Sequence, residues 1–334
     1  MQYLYVHGPG EAFDYPSSRS HGGSGQLAAR YLECVLVQAA SLRLRAVDCD
    51  LALVTNLTDR RSVGDRGTRL LAEIESLGVE ILFADYLHRP SVEVATFASS
   101  RYVFDAIMTA SDKADPDTQL CLVDVDCIWL DAPKVFAAVP PSPGIGCIHI
   151  PYPPDWELYG FTPRTMGELA SEMGAPDASL RWVGGELLAG AAGDLRMLVS
   201  TCEGLERMLA AQGQVLTTEE QLLSLAGTLG RAQFHDLSSV AQRIWTGPRH
   251  GAPSVSDPAS LGLWHLPSEK GLGFRRAART ITSGRPERLV RDLEVPSRAL
   301  ERFNVLGAGW TRRIRDDGWL ATQRLRDGLI SHVR

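Results

Sequence analysis

The chain has 334 residues, 44% of them hydrophobic and 22% charged, the balance of a soluble globular protein with enough apolar side chain for a sizeable core. A net charge of −6 argues against a general nucleic-acid binder. No apolar run reaches the roughly 18 residues of a membrane-spanning helix. The opening MQYLYVHGPGEAF has neither a basic n-region nor an apolar h-region, so residence in the cytoplasm is the default expectation.

Tyr3–His7 reads as a short strand, followed by a polar stretch ending in Ser20-His-Gly-Gly-Ser-Gly25. Those glycines lie between a first strand and a first helix, where backbone N–H groups favour phosphate, but the pattern is neither a P-loop nor Gly-x-Gly-x-x-Gly. Residues 26–46 carry helical periodicity, and Cys49–Asn56 is a second buried strand. A helix over 65–77 closes at Gly78, Val79–Asp85 is a third strand, and 96–110 is another helix. The fourth strand is Gln119-Leu-Cys-Leu-Val-Asp124-Val-Asp126, an apolar run leading into two carboxylates. This rhythm predicts an α/β three-layer sandwich with a mostly parallel central sheet.

The second half is less regular. Gly144–Ile150 and Trp182–Gly190 read as strands, the latter with glycines that mark a close backbone approach. Between them 151–165 is a loop rich in proline and aromatic residues. Asp194–Gln212 and Thr217–Leu229 are helices, the second capped by Thr217 or Thr218, and Ala232–Leu237 is strand-like. A Gly/Pro/Ser-rich connection at 247–262 leads to a mostly helical remainder. Residues 275–334 hold fourteen arginines against seven acids, a net of +7 within an acidic chain, and docking of this basic extension on the acidic body is expected. Six scattered cysteines without a Cys-x-x-Cys pair read as buried thiols.

Two acids ending a strand of core quality stand where open α/β sheets bind ligands. Carboxylates at that position suit Mg²⁺ or Mn²⁺, which take oxygen ligands and share them with substrate phosphates. The same short pattern also occurs in solvated loops, and its position in the sheet is what favours chemistry here.

In their order along the chain, Asp124-Val-Asp126, Gly184-Gly185-Glu186, Glu219-Glu220-Gln221 and His265-Leu-Pro-Ser-Glu-Lys270 resemble the motifs of GT-A-fold nucleotide-sugar glycosyltransferases of the glycogenin and galactosyltransferase type. The resemblance covers roughly residues 3–275, leaving 276–334 as a helical extension. It departs from the family where Val-Gly-Gly-Glu stands for the usual Asn-Ala-Gly, and no Pro-Trp follows Lys270.

The resemblance implies a metal-dependent transferase that takes a nucleoside-diphosphate sugar, with UDP-sugar favoured, and passes the sugar to a small-molecule or glycan acceptor. Asp124, Asp126 and His265 would hold Mn²⁺ or Mg²⁺, and Asp124 could contact the donor ribose instead. Lys270 would hold the diphosphate, and Glu186, Glu219 and Glu220 are the candidate catalytic carboxylates. His7, Gly8, Thr55 and Asn56 fall where the nucleotide would rest, and Arg101 is a candidate for a phosphate contact. Tyr152, Trp156 and Tyr159, with Gly185 and Gln221, are expected on the acceptor side. The His-Lys ending favours transfer with retention. Competing readings are a nucleotidyltransferase, a haloacid-dehalogenase-like phosphatase with its Asp-x-Asp, and a non-catalytic scaffold.

Overall fold

The computed structural model describes residues 1–4, 24–45, 47–90, 98–175, 179–246 and 257–305. The first half alternates β1 (Gln2–Leu4), α1 (Ser24–Arg43), β2 (Leu51–Thr55), α2 (Gly64–Ser76), β3 (Val79–Phe83), α3 (Tyr102–Asp112) and β4 (Gln119–Asp124). β5 (Cys127–Trp129), α4 (Ala132–Ala138), β6 (Ile145–His149), α5 (Pro163–Glu172), β7 (Val183–Ala191), α6 (Ala192–Ala211) and α7 (Glu219–Thr228) follow. The chain continues through β8 (Phe234–Asp236), β9 (Ala241–Arg243), β10 (Leu263–His265), α8 (Gly273–Thr282), α9 (Pro286–Glu294) and α10 (Pro296–Arg302).

Seven strands form the main sheet in the order β3-β2-β1-β4-β7-β6-β8. β3, β2, β1 and β4 are parallel, β7 runs against both its neighbours, and β8 is parallel to β6. The expected mostly parallel α/β sandwich is therefore present, with β7 as its one reversed strand. Right-handed crossovers explain the layers. From β1 to β3 the chain steps outward in one direction, so α1 and α2 share a face and pack together. The step from β3 back across β1 to β4 reverses direction, which sends α3 to the other face, against α6. In open α/β sheets the carboxyl ends of the strands beside such a reversal, here β1 and β4, are the usual ligand position.

A helix that is apolar on all sides is buried on all sides. Leu32, Val35, Leu36, Val37, Ala39 and Ala40 of α1 are all fully buried, because α1 lies beneath α2, α8 and α9 as well as against β5. β7 is buried along its whole length, as a strand with sheet neighbours on both edges and helices above and below.

Boundaries differ from expectation in particular ways. The helix expected over 96–110 opens as a 3₁₀ turn, Ala98–Arg101, before α3, and residues before 98 lie outside the described ones. Thr218 is the cap of α7: its side chain accepts from Gln221 N, and Gln221 replies to the cap backbone. Three short strands with no clear sequence signal, β5, β9 and β10, make a second sheet in the order β5-β10-β9.

Candidate active site

The second sheet delivers the site. β4 ends at Asp124, the chain turns, and β5 starts at Cys127, so Asp126 stands in the turn between the two sheets. β10 pairs antiparallel with β5, setting His265 opposite Cys127, and parallel with β9, setting His265 opposite Arg243. Leu266 N donates to Asp126 O at 2.9 Å, which fixes the turn against the end of β10. Gln38 of α1 donates to Asp124 O at 2.8 Å from the other side.

One donor atom from each of Asp124, Asp126 and His265 lies within 4.8 Å of the others. His265 Nε2 is 3.3 Å from Asp126 Oδ1 and 3.5 Å from Asp124 Oδ2, while His265 Nδ1 is 3.4 Å from Glu186 Oε1. None of these approaches is a directed hydrogen bond: among the described residues, Asp126 Oδ1 and both ring nitrogens of His265 are buried without a hydrogen-bond partner. Buried polar atoms are otherwise almost always paired. Two carboxylate oxygens and an imidazole nitrogen converging here, with Asp126 Oδ1 and the imidazole nitrogens lacking hydrogen bonds among the described residues, are a fitting donor set for a divalent cation such as Mn²⁺.

The electrostatics agree with that fit. Burial by itself would raise the Asp126 carboxyl, but Lys270 and His265 outweigh it and hold it far below the usual carboxylate range. Burial likewise disfavours a charged His265, yet Asp126, Asp124 and Glu186 hold its pKa well above the ordinary histidine value. The carboxylates demand positive charge at this point, which a proton on His265 or a bound cation can supply.

A second set of charges adjoins the first. Arg243 forms a two-pronged pair with Glu186, Nε to Oε1 at 2.9 Å and Nη2 to Oε2 at 2.6 Å. The same guanidinium binds Glu220 Oε1, and its Nη1 donates to the Tyr152 hydroxyl at 2.9 Å. Trp182 Nε1 completes the Glu220 carboxylate at 2.8 Å. Burial would raise Glu186, but Arg243 and His265 bring it down to about 2. Glu219 forms no ion pair among the described residues: burial, with Glu220 beside it, outweighs Ser100 and Arg243 and pushes its carboxyl up to about 8.

β7 is shaped to admit these acids. Its register against β6 shifts between Cys147 and Ile148, the partners being Leu188 and Gly184, and Gly185, Glu186 and Leu187 fall inside that irregularity. A β-carbon on Gly184 would run into Glu186 Oε2, and one on Gly185 into Glu219 Oε1. The close approach expected at these glycines is made by carboxylates of the chain itself.

Lys270, just after a 3₁₀ turn at Pro267–Glu269, is buried with its ammonium on Asp126 Oδ2 and over the Tyr31 ring at 5.5 Å. Glu269 ties this turn to the C-terminal helices, accepting from Gly273 N at 3.2 Å and Asn304 Nδ2 at 2.8 Å.

The structure therefore brings Asp124, Asp126, Glu186, Glu220, His265 and Lys270 into one connected set, with Glu219 and Gly185 against it. Thr55 ends β2, buried, and Asn56 follows it. Tyr152 and Trp156 stack at 6.2 Å with an 11° angle, and Tyr152 and Trp182 line a cleft of about 680 Å³ that also reaches Arg243. His7 and Gly8 lie outside the described residues.

Two residues expected at the ligand are engaged by the chain itself. Gln221 Oε1 accepts from Thr217 N and Thr218 N at 2.7 and 3.2 Å, and its Nε2 donates to Leu158 O and Tyr159 O at 3.1 and 3.4 Å. It caps α7 and anchors the aromatic loop, where Tyr159 adopts a φ of +52°. Arg101 is almost fully buried, donating to the Leu216 and Thr217 carbonyls and pairing with Glu206 at 2.5 Å, so it braces the start of α7. Arg243 was not among the expected site residues. Its only sequence signal is a charged residue in an otherwise ordinary Ala-Gln-Arg-Ile-Trp run.

No protein-family model and no curated protein matches the sequence. Among solved structures the chain is similar to mouse xyloside xylosyltransferase 1 in its apo form, at 15% identity and a TM-score of 0.46, over 79% of this chain and 95% of that one. It is also similar to the galactosyltransferase LgtC in complex with donor and acceptor sugar analogues, at 13% identity and a TM-score of 0.48, over 88% of this chain and 97% of that one. An active-site Gln-to-Glu mutant of LgtC gives 13% identity, a TM-score of 0.48 and coverage of 87% and 95%. These structural neighbours are glycosyltransferases.

Proposed function

We propose that the chain is a metal-dependent GT-A glycosyltransferase that moves a sugar from a nucleoside-diphosphate donor, UDP-linked in the favoured case, to a small-molecule or glycan acceptor in the cytoplasm. The observation that carries this reading is the convergence of Asp124, Asp126 and His265 at the carboxyl end of β4, with Asp126 Oδ1 and His265 Nε2 buried and unpaired. Residues 1–275 would carry the reaction and 276–334 would form the extension packed on them.

Asp124, Asp126 and His265 would hold Mn²⁺ or Mg²⁺. When bound, such a cation offsets the charge that grows on a departing diphosphate. Lys270 stands on Asp126 and adds a second positive charge for the same phosphates. Thr55, Asn56, His7 and Gly8 would border the nucleotide. The stacked Tyr152 and Trp156 offer an aromatic face to a sugar ring. Glu186 and Glu220, both paired with Arg243, are weakened as bases and are suited to orienting groups. Glu219 is the carboxyl whose basicity lies nearest neutral pH. The His265-to-Lys270 ending favours transfer with retention, in which these acids would orient groups; inversion would need one of them as a base.

The test is thermal unfolding with a panel of nucleoside diphosphates and their sugars, in Mn²⁺ and in EDTA, on the wild type and on Asp124→Asn. Asp124 is partly exposed, so its substitution leaves the Asp126–Lys270 and Glu186–Arg243 pairs in place. UDP should stabilise the wild type only with metal, and Asp124→Asn should lose that effect together with about a hundredfold or more of UDP-sugar turnover. Equal stabilisation in EDTA, unchanged by the substitution, would remove the metal site. No response to any nucleotide would favour the phosphatase or the non-catalytic scaffold.

A further inference from the structure

Helices α8, α9 and α10 enclose a second cleft, of about 540 Å³, well separated in chemistry from the first. Arg276 from α8, Arg288 and Arg291 from α9, and Arg298 and Arg302 from α10 line it. Spacings of three on α9 and four on α10 put each arginine pair on one helix face. The opposite faces are fixed by packing: Phe274 meets Phe303 edge to face at 5.5 Å, and Leu289, Leu293, Ala299 and Leu300 are buried. The guanidinium groups therefore cannot turn into the protein without dismantling that core.

Among the described residues, two carboxylates share the cleft with these five cations. Asp292 is taken by Arg302, Nε to Oδ2 at 2.8 Å, and Glu301 forms no ion pair among the described residues. Arg276, Arg288, Arg291 and Arg298 have neither ion pair nor side-chain hydrogen bond among the described residues. Burial is the main reason that Arg302 is lowered from its ordinary pKa; Asp292 opposes the fall, and Arg288 and Arg276 add to it. Like charges placed close together from three helices cost stability, and an anion between them removes that cost.

We propose that this cleft is a binding site for a multivalent phosphate anion. Planar guanidinium forks match phosphoryl oxygens two at a time, and converging forks from three helices need several such oxygens to satisfy them. A chloride or a lone carboxylate leaves most of the charge unmatched. A free oligophosphate and a phosphorylated headgroup on a lipid surface share this chemistry.

The test uses the full chain in EDTA, so that the candidate metal site recruits no phosphate through a cation. Tripolyphosphate is titrated at constant ionic strength, read by thermal unfolding and by hydrogen exchange of the α9 and α10 amides. Stabilisation with protection centred on residues 286–302 is expected. Arg288→Gln/Arg298→Gln should weaken it about tenfold or more, the equivalent of ~1.4 kcal/mol. Arg69→Gln, an exposed arginine of α2, should bind as the wild type does. If vesicles bearing phosphoinositide headgroups capture the wild type and tripolyphosphate releases it, the ligand is a headgroup; tripolyphosphate binding without vesicle capture assigns a free anion. The proposal is overturned if tripolyphosphate gives no protection at these amides, if chloride at the same ionic strength gives as much, or if the double variant binds as tightly as the wild type. Should that variant unfold, the single Arg291→Gln, read by the same exchange, decides.

Discussion

Around His265 each cation faces a carboxylate: Lys270 on Asp126, Arg243 on Glu186 and Glu220, and the imidazole among three acids. In the α8–α10 cleft four of five arginines face none among the described residues. Both regions are rich in charge, but they differ in burial and in completeness. The first is buried, and burial tolerates charge only where pairing is close to complete. The second opens to solvent, where water can support unmatched guanidinium groups until an anion takes its place. The interior charges offset one another while leaving Asp126 Oδ1 and the His265 nitrogens without directed hydrogen bonds, and the surface arginines lack ion-pair partners among the described residues.

The largest effect should come from breaking the matched region at Arg243. Arg243→Met leaves Glu186 and Glu220 as buried carboxylates without their cation, and should cost about 3–5 kcal/mol in denaturant unfolding. Adding Glu186→Met to Arg243→Met should recover a measurable part of the loss, since a buried charge is then removed along with its missing partner. If Arg243→Met alone unfolds at the wild-type midpoint, the network is not the structural element described above.

How much of this was readable beforehand follows from the kind of signal each residue leaves. The acidic strand announced itself because the apolar run of β4 ends in Asp124 with Asp126 two residues on, and the start of α7 because threonines stand just before it. β5, β9 and β10 are three residues each, too short for any periodicity, yet they bring His265 and Arg243 into place. The Glu186–Arg243 pair spans 57 positions and depends on a sheet that no local pattern specifies. Gln221 and Arg101 show the opposite limit. Their types suit ligands, but both are consumed by backbone groups at the start of α7, an obligation visible only once the loop at 158–159 and the turn at 216–217 are in place. The glycines of β7 did mark a close approach, although the sequence could not say what approached.

A matched pair that can be unmade by pH offers a smaller effect. His88, before α3, bonds Asp105 through Nδ1 at 2.6 Å and Glu203 of α6 through Nε2 at 3.1 Å, with the Phe104 ring at 6.0 Å. Burial would lower the imidazole, but the Asp105 hydrogen bond and the fields of Asp105 and Glu203 outweigh it, and the net shift is upward. A raised folded-state pKa means stability that is fully present below the unfolded value of about 6.5 and lost as pH rises through the folded value. The urea midpoint of the wild type should fall across that window, and His88→Gln should fall less. An equal decline in both would show that this histidine does not link the loop before α3 to α6 through its charge.

The smallest effect should also have the opposite sign, and it tests the comparison most directly. Arg291→Gln removes a cation from a group in which arginines outnumber carboxylates, so at low ionic strength it should stabilise the free protein by about 0.2–0.5 kcal/mol, as for like charges one turn apart on a helix. The gain should fade as salt screens the arginines from one another. With tripolyphosphate present the order should reverse, because the wild type then holds the anion through one more guanidinium than the variant does. A loss of stability in Arg291→Gln without ligand would mean that the guanidinium is already compensated, and the cleft would then belong with the matched charges around His265.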